Sequence, residues 1–414
     1  MAANDMFTGR REDVILRSKV REVFTPSRPV QLVELLLGRE TNIGRLIEIL
    51  NTPGQHALLF GDRGVGKSSL ANVTCTIIKL HNYFDATQIT SKACGSEDTF
   101  ESIVRGPLIK IGIDPAVFES GKTQKQRGTG KLTAFFATAD VESVHETNEK
   151  RRHTLSASYV AEVLHKTKGL LVIDEADAIV GEADKKKIAE LIKLLSDANS
   201  PFKVLVVGIA ETGTQLVAGH KSVERCLGEV KLNRLAEPEL WKIIATGQKK
   251  INTKKSIEFD HDVINSIVGI SNGYPYFTHL LALKCAEEAI VSGRFSVRKE
   301  HLREATVIAA EAAEGVLRST YESATRSSSV NGGLYKSILL AAAKMPNHEF
   351  NAKDLREEIC RSTNTTISQS RLSNFYASLI SESSETILRR VGKGVYCFND
   401  PRMASFVRIV NADV

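Results

Sequence analysis

Residues 56–70 read HALLFGDRGVGKSSL. An apolar run of strand character ends in a glycine, and a helical pattern opens a few residues later. Gly61, Gly66, Lys67 and Ser68 fill G-x-x-x-x-G-K-[ST] without a mismatch. The chemistry of a phosphate chain explains these residue types. Several negative charges must be wrapped closely by backbone N–H groups, and side chains at the glycines would obstruct that approach. A helix starting near Lys67 adds roughly half a positive charge at its N-terminus. Lys67 is placed to reach the β- and γ-phosphates of a nucleoside triphosphate, and the Ser68 hydroxyl to coordinate Mg²⁺. Asp62, Arg63, Gly64, Val65 and Ser69 complete the cradle.

From about residue 40 to 235, short apolar runs alternate with helix-period segments. HALLFG (56–61), DATQITS (85–91), GLLVID (169–174), KVLVVG (203–208) and EVKL (229–232) read as strands. SSLANVTCTIIKLH and KKKIAELIKLLSDA read as intervening helices. Strands interleaved with helices predict an α/β fold with a mostly parallel sheet covered on both faces. The stretch 119–131, ESGKTQKQRGTGK, lacks apolar rhythm and reads as a loop.

A second acidic motif follows downstream. Residues 170–180, LLVIDEADAIV, end a strand in Asp174-Glu175. Asp174 is the candidate Mg²⁺ ligand, directly or through water, and Glu175 the residue that polarises the attacking water. The letters DEAD also occur in RNA helicases, but those require two phosphate-binding lobes. One such sheet is visible here, which excludes that class.

From Glu237 to Glu322 no strand pattern survives. The segments 237–251, 260–271, 276–291 and 299–321 read as successive helices. SATRSSSVNGG (323–333) has linker composition. Three helical segments and an alternating hairpin turning at Gly392-Lys393-Gly394 then predict a winged helix-turn-helix. The division is therefore an N-terminal extension (1–34), a nucleotide-binding core (35–235), a helical lid (236–322), a linker (323–333) and a winged-helix domain (334–414). Gln369, Arg371 and Asn374 are candidates to face a DNA major groove, and Arg389, Arg390 and Lys393 to meet phosphates on the wing. A protein-facing role for this domain is the alternative.

The 414 residues, 42% hydrophobic and 25% charged, have the composition of an ordinary soluble protein. No apolar run reaches the ~18 residues of a membrane span, and MAANDMFTGRRED is no secretory signal. A cytoplasmic location without membrane contact is expected. A net charge of +6 permits nucleic-acid binding without demonstrating it. The six cysteines lie far apart and predict buried free thiols.

With these motifs in hand, the chain resembles the AAA+ ATPases of the origin-recognition and replication-initiator type over about residues 30–400. It also resembles the related STAND and TniB-like transposition ATPases. The resemblance implies a P-loop AAA+ core, ATP and Mg²⁺ as cofactors, ATP hydrolysis, and homo-oligomerisation. Double-stranded DNA or an effector protein would be the partner. LLLGRETNIGRLIEIL (35–50) looks like the segment that packs on adenine, with Gly38 and Arg39 at its centre. Glu211 occupies the usual sensor-1 position, with Thr212 the fallback, because an acid there would repel the γ-phosphate. Arg225 matches the arginine-finger region, and a surface salt bridge is its alternative. Gly273, Tyr274 and Pro275 fit a lid turn near the base. The sensor-2 arginine is missing from the following helix, where His279 stands as substitute or core residue. Its absence implies slow, switch-like hydrolysis.

Overall fold

The computed structural model describes residues 2–31, 33–113, 155–209, 221–251, 256–326, 332–345, 349–363, 368–380 and 386–412. Glu211, Thr212 and the 119–131 segment lie outside the described residues.

Five strands form the central sheet: β1 (His56–Gly61), β2 (Ile89–Ala93), β3 (Leu170–Asp174), β4 (Lys203–Gly208) and β5 (Leu227–Leu232), in the order β2-β3-β4-β1-β5. β2, β3 and β4 pair in parallel. The α/β class with a parallel sheet is as expected. The continuous apolar runs reflect burial on both faces: all six residues of β4 are buried, as are the first four of β3. β2 begins four residues later than the predicted strand, because Asp85 caps a helical turn at Ala86–Gln88 by accepting from Thr87 N at 2.9 Å.

By internal contacts the chain divides into two compact units, one of residues 47–58 and 78–229, the other of 1–46, 59–77 and 230–414. In the first, α4 (Phe100–Lys110), α5 (Ala157–Leu164) and α6 (Glu182–Asp197) bury apolar stripes, such as Ile188, Leu191, Ile192 and Leu195 of α6. His56 ties β1 to β4: its Nδ1 accepts from Val204 N at 3.0 Å. Burial, with Lys203 adding repulsion, pushes this imidazole down to about 3.

The second unit carries α1 (Ala2–Val23), α2 (Glu40–Asn51, which runs across the division), α3 (Lys67–Leu80, likewise), α7 (Glu237–Lys250), α8 (His261–Ser271), α9 (Pro275–Val291), α10 (Lys299–Ala312) and α11 (Gly315–Arg326). Two sequence expectations are corrected here. The helical region holds a short parallel pair, β6 (Glu258–Phe259) and β7 (Ser296–Val297), too brief to show alternation. The segment 299–321 is two helices, because Ala313 turns extended (φ −62°, ψ 156°) ahead of Glu314-Gly315. Phe24, just after α1, is 1% exposed and meets Phe259 and His279 edge-on at 5.9 and 6.2 Å. His279 Nδ1 accepts from Thr25 N at 3.2 Å, and full burial pushes the ring down to about 4. It is a neutral core histidine.

The C-terminal stretch orders α12 (Gly332–Lys344), β8 (Glu349–Asn351), α13 (Ala352–Thr363), α14 (Gln369–Leu379), β9 (Leu388–Gly392), β10 (Val395–Phe398) and α15 (Met403–Val410). The strands form an antiparallel sheet, β8-β10-β9. β8 and α15 have no counterpart in the sequence reading. β8 is three residues long, too brief to show an alternation, and α15 is an eight-residue helix most of whose residues are buried. α15 docks on the helical region: Ser405 Oγ donates to Ser271 O at 3.0 Å and Arg408 Nη1 to Gly269 O at 2.6 Å.

The two buried histidines give the fold an acid-sensitive side. Each holds its pKa below the unfolded value of 6.5. Below that pH the unfolded chain binds protons that the folded chain refuses, so stability is complete above about 6.5 and falls as pH drops toward about 4. Urea unfolding at pH 7.5 and 5.5 is expected to differ by about 2–3 kcal/mol in favour of the higher pH. Equal stability at the two values would contradict these assignments.

Candidate active site

The phosphate loop leaves β1 at Gly61 and enters α3 at Lys67. Strand geometry fixes its start. A side chain on Gly61 would lie 2.4 Å from Leu232 O, so the loop can leave the sheet here only with glycine. Gly64 and Gly66 turn with φ of +79° and +98°. Glycine adopts this left-handed conformation without the steric cost that a side chain would bring. Lys67 Nζ donates to Gly61 O and Asp62 O, both at 2.9 Å. The ammonium therefore rests on the loop's own carbonyls, at the mouth of the cradle. Leu70 N donates to Gly66 O at 2.9 Å, closing the first helical turn. Ser68 is half-buried at the helix start. The Ser69 hydroxyl is engaged by Val30 N at 3.0 Å, so it anchors the N-terminal segment.

Arg39 joins this loop. Its side chain is buried, and Nη2 donates to Val65 O at 2.9 Å. Burial pulls the guanidinium down to about 10, with Glu239 acting against it. Gly38 precedes it because a Cβ would strike the Glu239 side chain at 2.8 Å. Arg39 thus ties the segment before α2 to the loop at Val65.

The turn at residues 273–275 also reaches the loop, through Tyr274, which the sequence reading placed in that turn without assigning it this contact. Pro275 occupies the first turn of α9, where its missing N–H costs nothing. Tyr274, before it, is fully buried and donates its hydroxyl to Asp62 Oδ2 at 3.1 Å. Burial, reinforced by Asp62 and Asp400 against the opposing Arg234, raises the phenol far above its usual range. Arg234 lies over the Tyr274 ring at 4.6 Å and 3.7 Å from Asp62 Oδ2. Leu235 N donates to Gly273 O at 2.9 Å, which holds the turn in place. No local pattern marks Arg234. It lies two residues after β5, and that position is the signal available.

Asp174 and Glu175 end β3 in the other unit. Asp174 Oδ1 accepts from Glu175 N at 2.9 Å, which turns the aspartate back on the chain. Glu175 adopts the left-handed conformation (φ 55°, ψ 40°) with its side chain exposed. For a non-glycine residue this costs about 1–2 kcal/mol and marks a place where side-chain direction matters. Ala176, the first residue of the helical turn that follows, is buried. Arg225, in the helical turn Lys221–Cys226, is 68% exposed and pairs with Asp197 at 2.9 Å.

Of the nucleic-acid candidates, Asn374, Arg389, Arg390 and Lys393 are exposed. Arg389 Nε contacts Cys397 Sγ at 3.2 Å, and Arg390 Nε donates to Gly392 O at 3.1 Å. Gln369 and Arg371 fall in α14, in its first turn, and their side chains are outside the described residues. Tyr376 of α14 stacks on Tyr396 of β10 at 4.6 Å, which fixes this helix against the hairpin.

The class defined by this loop and sheet agrees with comparison to known proteins. Residues 35–207 match the family model described as AAA ATPase domain (AAA_16). Three solved structures share the fold. A Walker-type ATPase of Pyrococcus abyssi is 19% identical over 93% of this chain and 99% of its own, with a TM-score of 0.50. The ORC2 protein of Aeropyrum pernix, solved in ADPNP–ADP complexes, is 13% identical over 94% and 96%, with a TM-score of 0.53. Cdc6p of Pyrobaculum aerophilum is 14% identical over 94% and 97%, with a TM-score of 0.50. No curated protein sequence matches the chain. Among the described residues no helix is long and apolar enough to cross a membrane.

Proposed function

We propose that this chain is an ATP-binding and ATP-hydrolysing AAA+ switch that couples nucleotide state to assembly on DNA, in the manner of replication initiators or transposition regulators. The observation that carries the reading is the glycine cradle of residues 61–66 with Lys67 at its mouth. A cradle closed to side chains at Gly61 and turned left-handed at Gly64 and Gly66 fits a phosphate chain. The ADPNP and ADP bound by the ORC2 protein of the same fold support adenine nucleotides as the ligand.

Lys67 would exchange its two carbonyl contacts for phosphate oxygens, and Gly38 and Arg39 would back the loop beside the base. Ser68 and Asp174 would hold Mg²⁺, which neutralises charge on the phosphates when bound. Glu175 would orient the attacking water and accept its proton, giving ADP and phosphate. Arg225 would serve a neighbouring subunit's nucleotide, exchanging Asp197 for that contact. The absence of an arginine on α9 beside the loop supports slow turnover. The supporting domains would be a core (35–235), a lid (236–322) and a winged helix-turn-helix (334–414), the last offering Arg389, Arg390 and Lys393 to the DNA backbone.

Isothermal titration with ATP and Mg²⁺ tests the nucleotide reading, and absence of heat would refute it. For DNA, fluorescence anisotropy with a labelled duplex is expected to show binding that requires ATP. Three phosphate contacts from the wing would weaken it about 40-fold between about 50 and 200 mM salt. Salt-insensitive binding would remove the DNA role.

A second reading is a STAND-like signalling ATPase whose C-terminal domain meets a partner protein. The contact of Arg402, in the C-terminal segment, with the phosphate loop favours it. Retained ADP in the purified chain, with no affinity for duplex, would select this reading.

A further inference from the structure

Arg402 is a buried, fully engaged cation of the C-terminal segment. It lies in the turn between β10 and α15, with its side chain 4% exposed. Nε and Nη2 donate to Asp400 Oδ1 and Oδ2 at 3.1 and 2.8 Å, and Nη1 donates to Glu314 Oε1 at 2.5 Å. The backbone N of Arg402 also donates to Asp400 Oδ1, at 2.9 Å, so the turn itself forms the fork. Burial alone would lower this guanidinium's pKa, but the two carboxylates outweigh it and raise it beyond its usual value. Removing such a group from water is costly, and an apolar side chain of similar size would often stabilise the fold as well or better. Its placement therefore asks for a reason other than bulk stability.

The stem of this arginine meets the phosphate loop. Its Cδ lies 3.2 Å from where a Cβ on Gly64 would stand, and Tyr276 Cβ and Tyr274 Cδ1 lie 3.6 and 3.7 Å from the same point. Gly64 is thus flanked by the C-terminal turn and by Tyr274 and Tyr276, while Asp62 is held by Tyr274 and Arg234. The far end of the arrangement is Glu314, at the break between α10 and α11, with its side chain 49% exposed.

We infer that Arg402 is a positioning residue for the phosphate loop: braced by Asp400 and Glu314, it holds residues 62–64 in shape from the C-terminal segment. The inference rests on the phosphate-binding reading of that loop for its functional meaning. Displacing the C-terminal segment, or drawing Glu314 away, loosens the loop and speeds release of bound nucleotide. The C-terminal domain and the nucleotide are then coupled within a single chain, whichever macromolecule that domain engages.

Hydrogen–deuterium exchange on the full nucleotide-free chain tests this, with Arg402→Gln and Glu314→Gln beside the parent. Peptides covering 60–68 are expected to exchange at least about fivefold faster in Arg402→Gln and by a smaller factor in Glu314→Gln, while peptides from β3 and β4 keep their protection. Release of a fluorescent ADP analogue should accelerate in the same order. If residues 399–406 open in Arg402→Gln but 60–68 exchange as in the parent, the arginine is a structural brace only and the inference is overturned. Should Arg402→Gln fail to fold, the half-exposed Glu314→Gln decides by the same criterion. The exchange measurement needs no nucleotide. A chain that binds no ATP would thus refute the proposed function separately from this coupling.

Discussion

Lys67→Ala is expected to lose about 10²–10³-fold in ATP turnover together with most of its nucleotide affinity. The ammonium stands where β1 hands over to α3 and touches two carbonyls of the loop that shapes the cradle. Alanine keeps the helix, since it is the best helix former, and removes the charge together with these contacts. The folded variant should therefore melt close to the parent while binding ATP poorly. Phosphate release and isothermal titration measure the two effects. Turnover equal to the parent would mean that the loop binds something other than a triphosphate.

Glu175→Gln is expected to separate binding from chemistry. Glutamine preserves the length of the side chain and the backbone conformation at φ 55°, but it cannot accept a proton. General-base assistance typically contributes 10²–10⁴-fold, so turnover should fall by about that factor while ATP remains bound. Single-turnover phosphate release beside nucleotide retention on a spin column reports both quantities. A variant that hydrolyses normally would show that another group activates the water. Unlike Lys67→Ala, this variant should accumulate the ATP-bound form, which makes it the reagent for the ATP-dependent DNA measurement.

The passage from β1 into α3 was legible because its signal is local: Gly61, Gly66, Lys67 and Ser68 lie where an apolar run ends and a helical pattern begins. The strands were legible too, since a sheet buried on both faces leaves uninterrupted apolar runs such as KVLVVG. What could not be read is contact between distant positions. Tyr274 and Asp62 are separated by 212 residues, and Arg402 and Glu314 by 88, and no periodicity links either pair. The turn at Gly273, Tyr274 and Pro275 was read from the sequence, but not the contact that its tyrosine makes with Asp62. His279 was open to a nucleotide role on paper; its burial against Phe24 settles it as core. β6, β7 and β8 escaped because two or three residues cannot display an alternation.

Two glycines of the cradle resist replacement for different physical reasons, and this predicts how evolution can treat each. At Gly61 the objection is spatial: a backbone carbonyl occupies the volume a methyl group would need, so every substitution meets the same wall. At Gly66 nothing stands within 4 Å, and the objection is one of handedness alone. A lineage drifting away from nucleotide use could tolerate asparagine at the second position long before it tolerated alanine at the first.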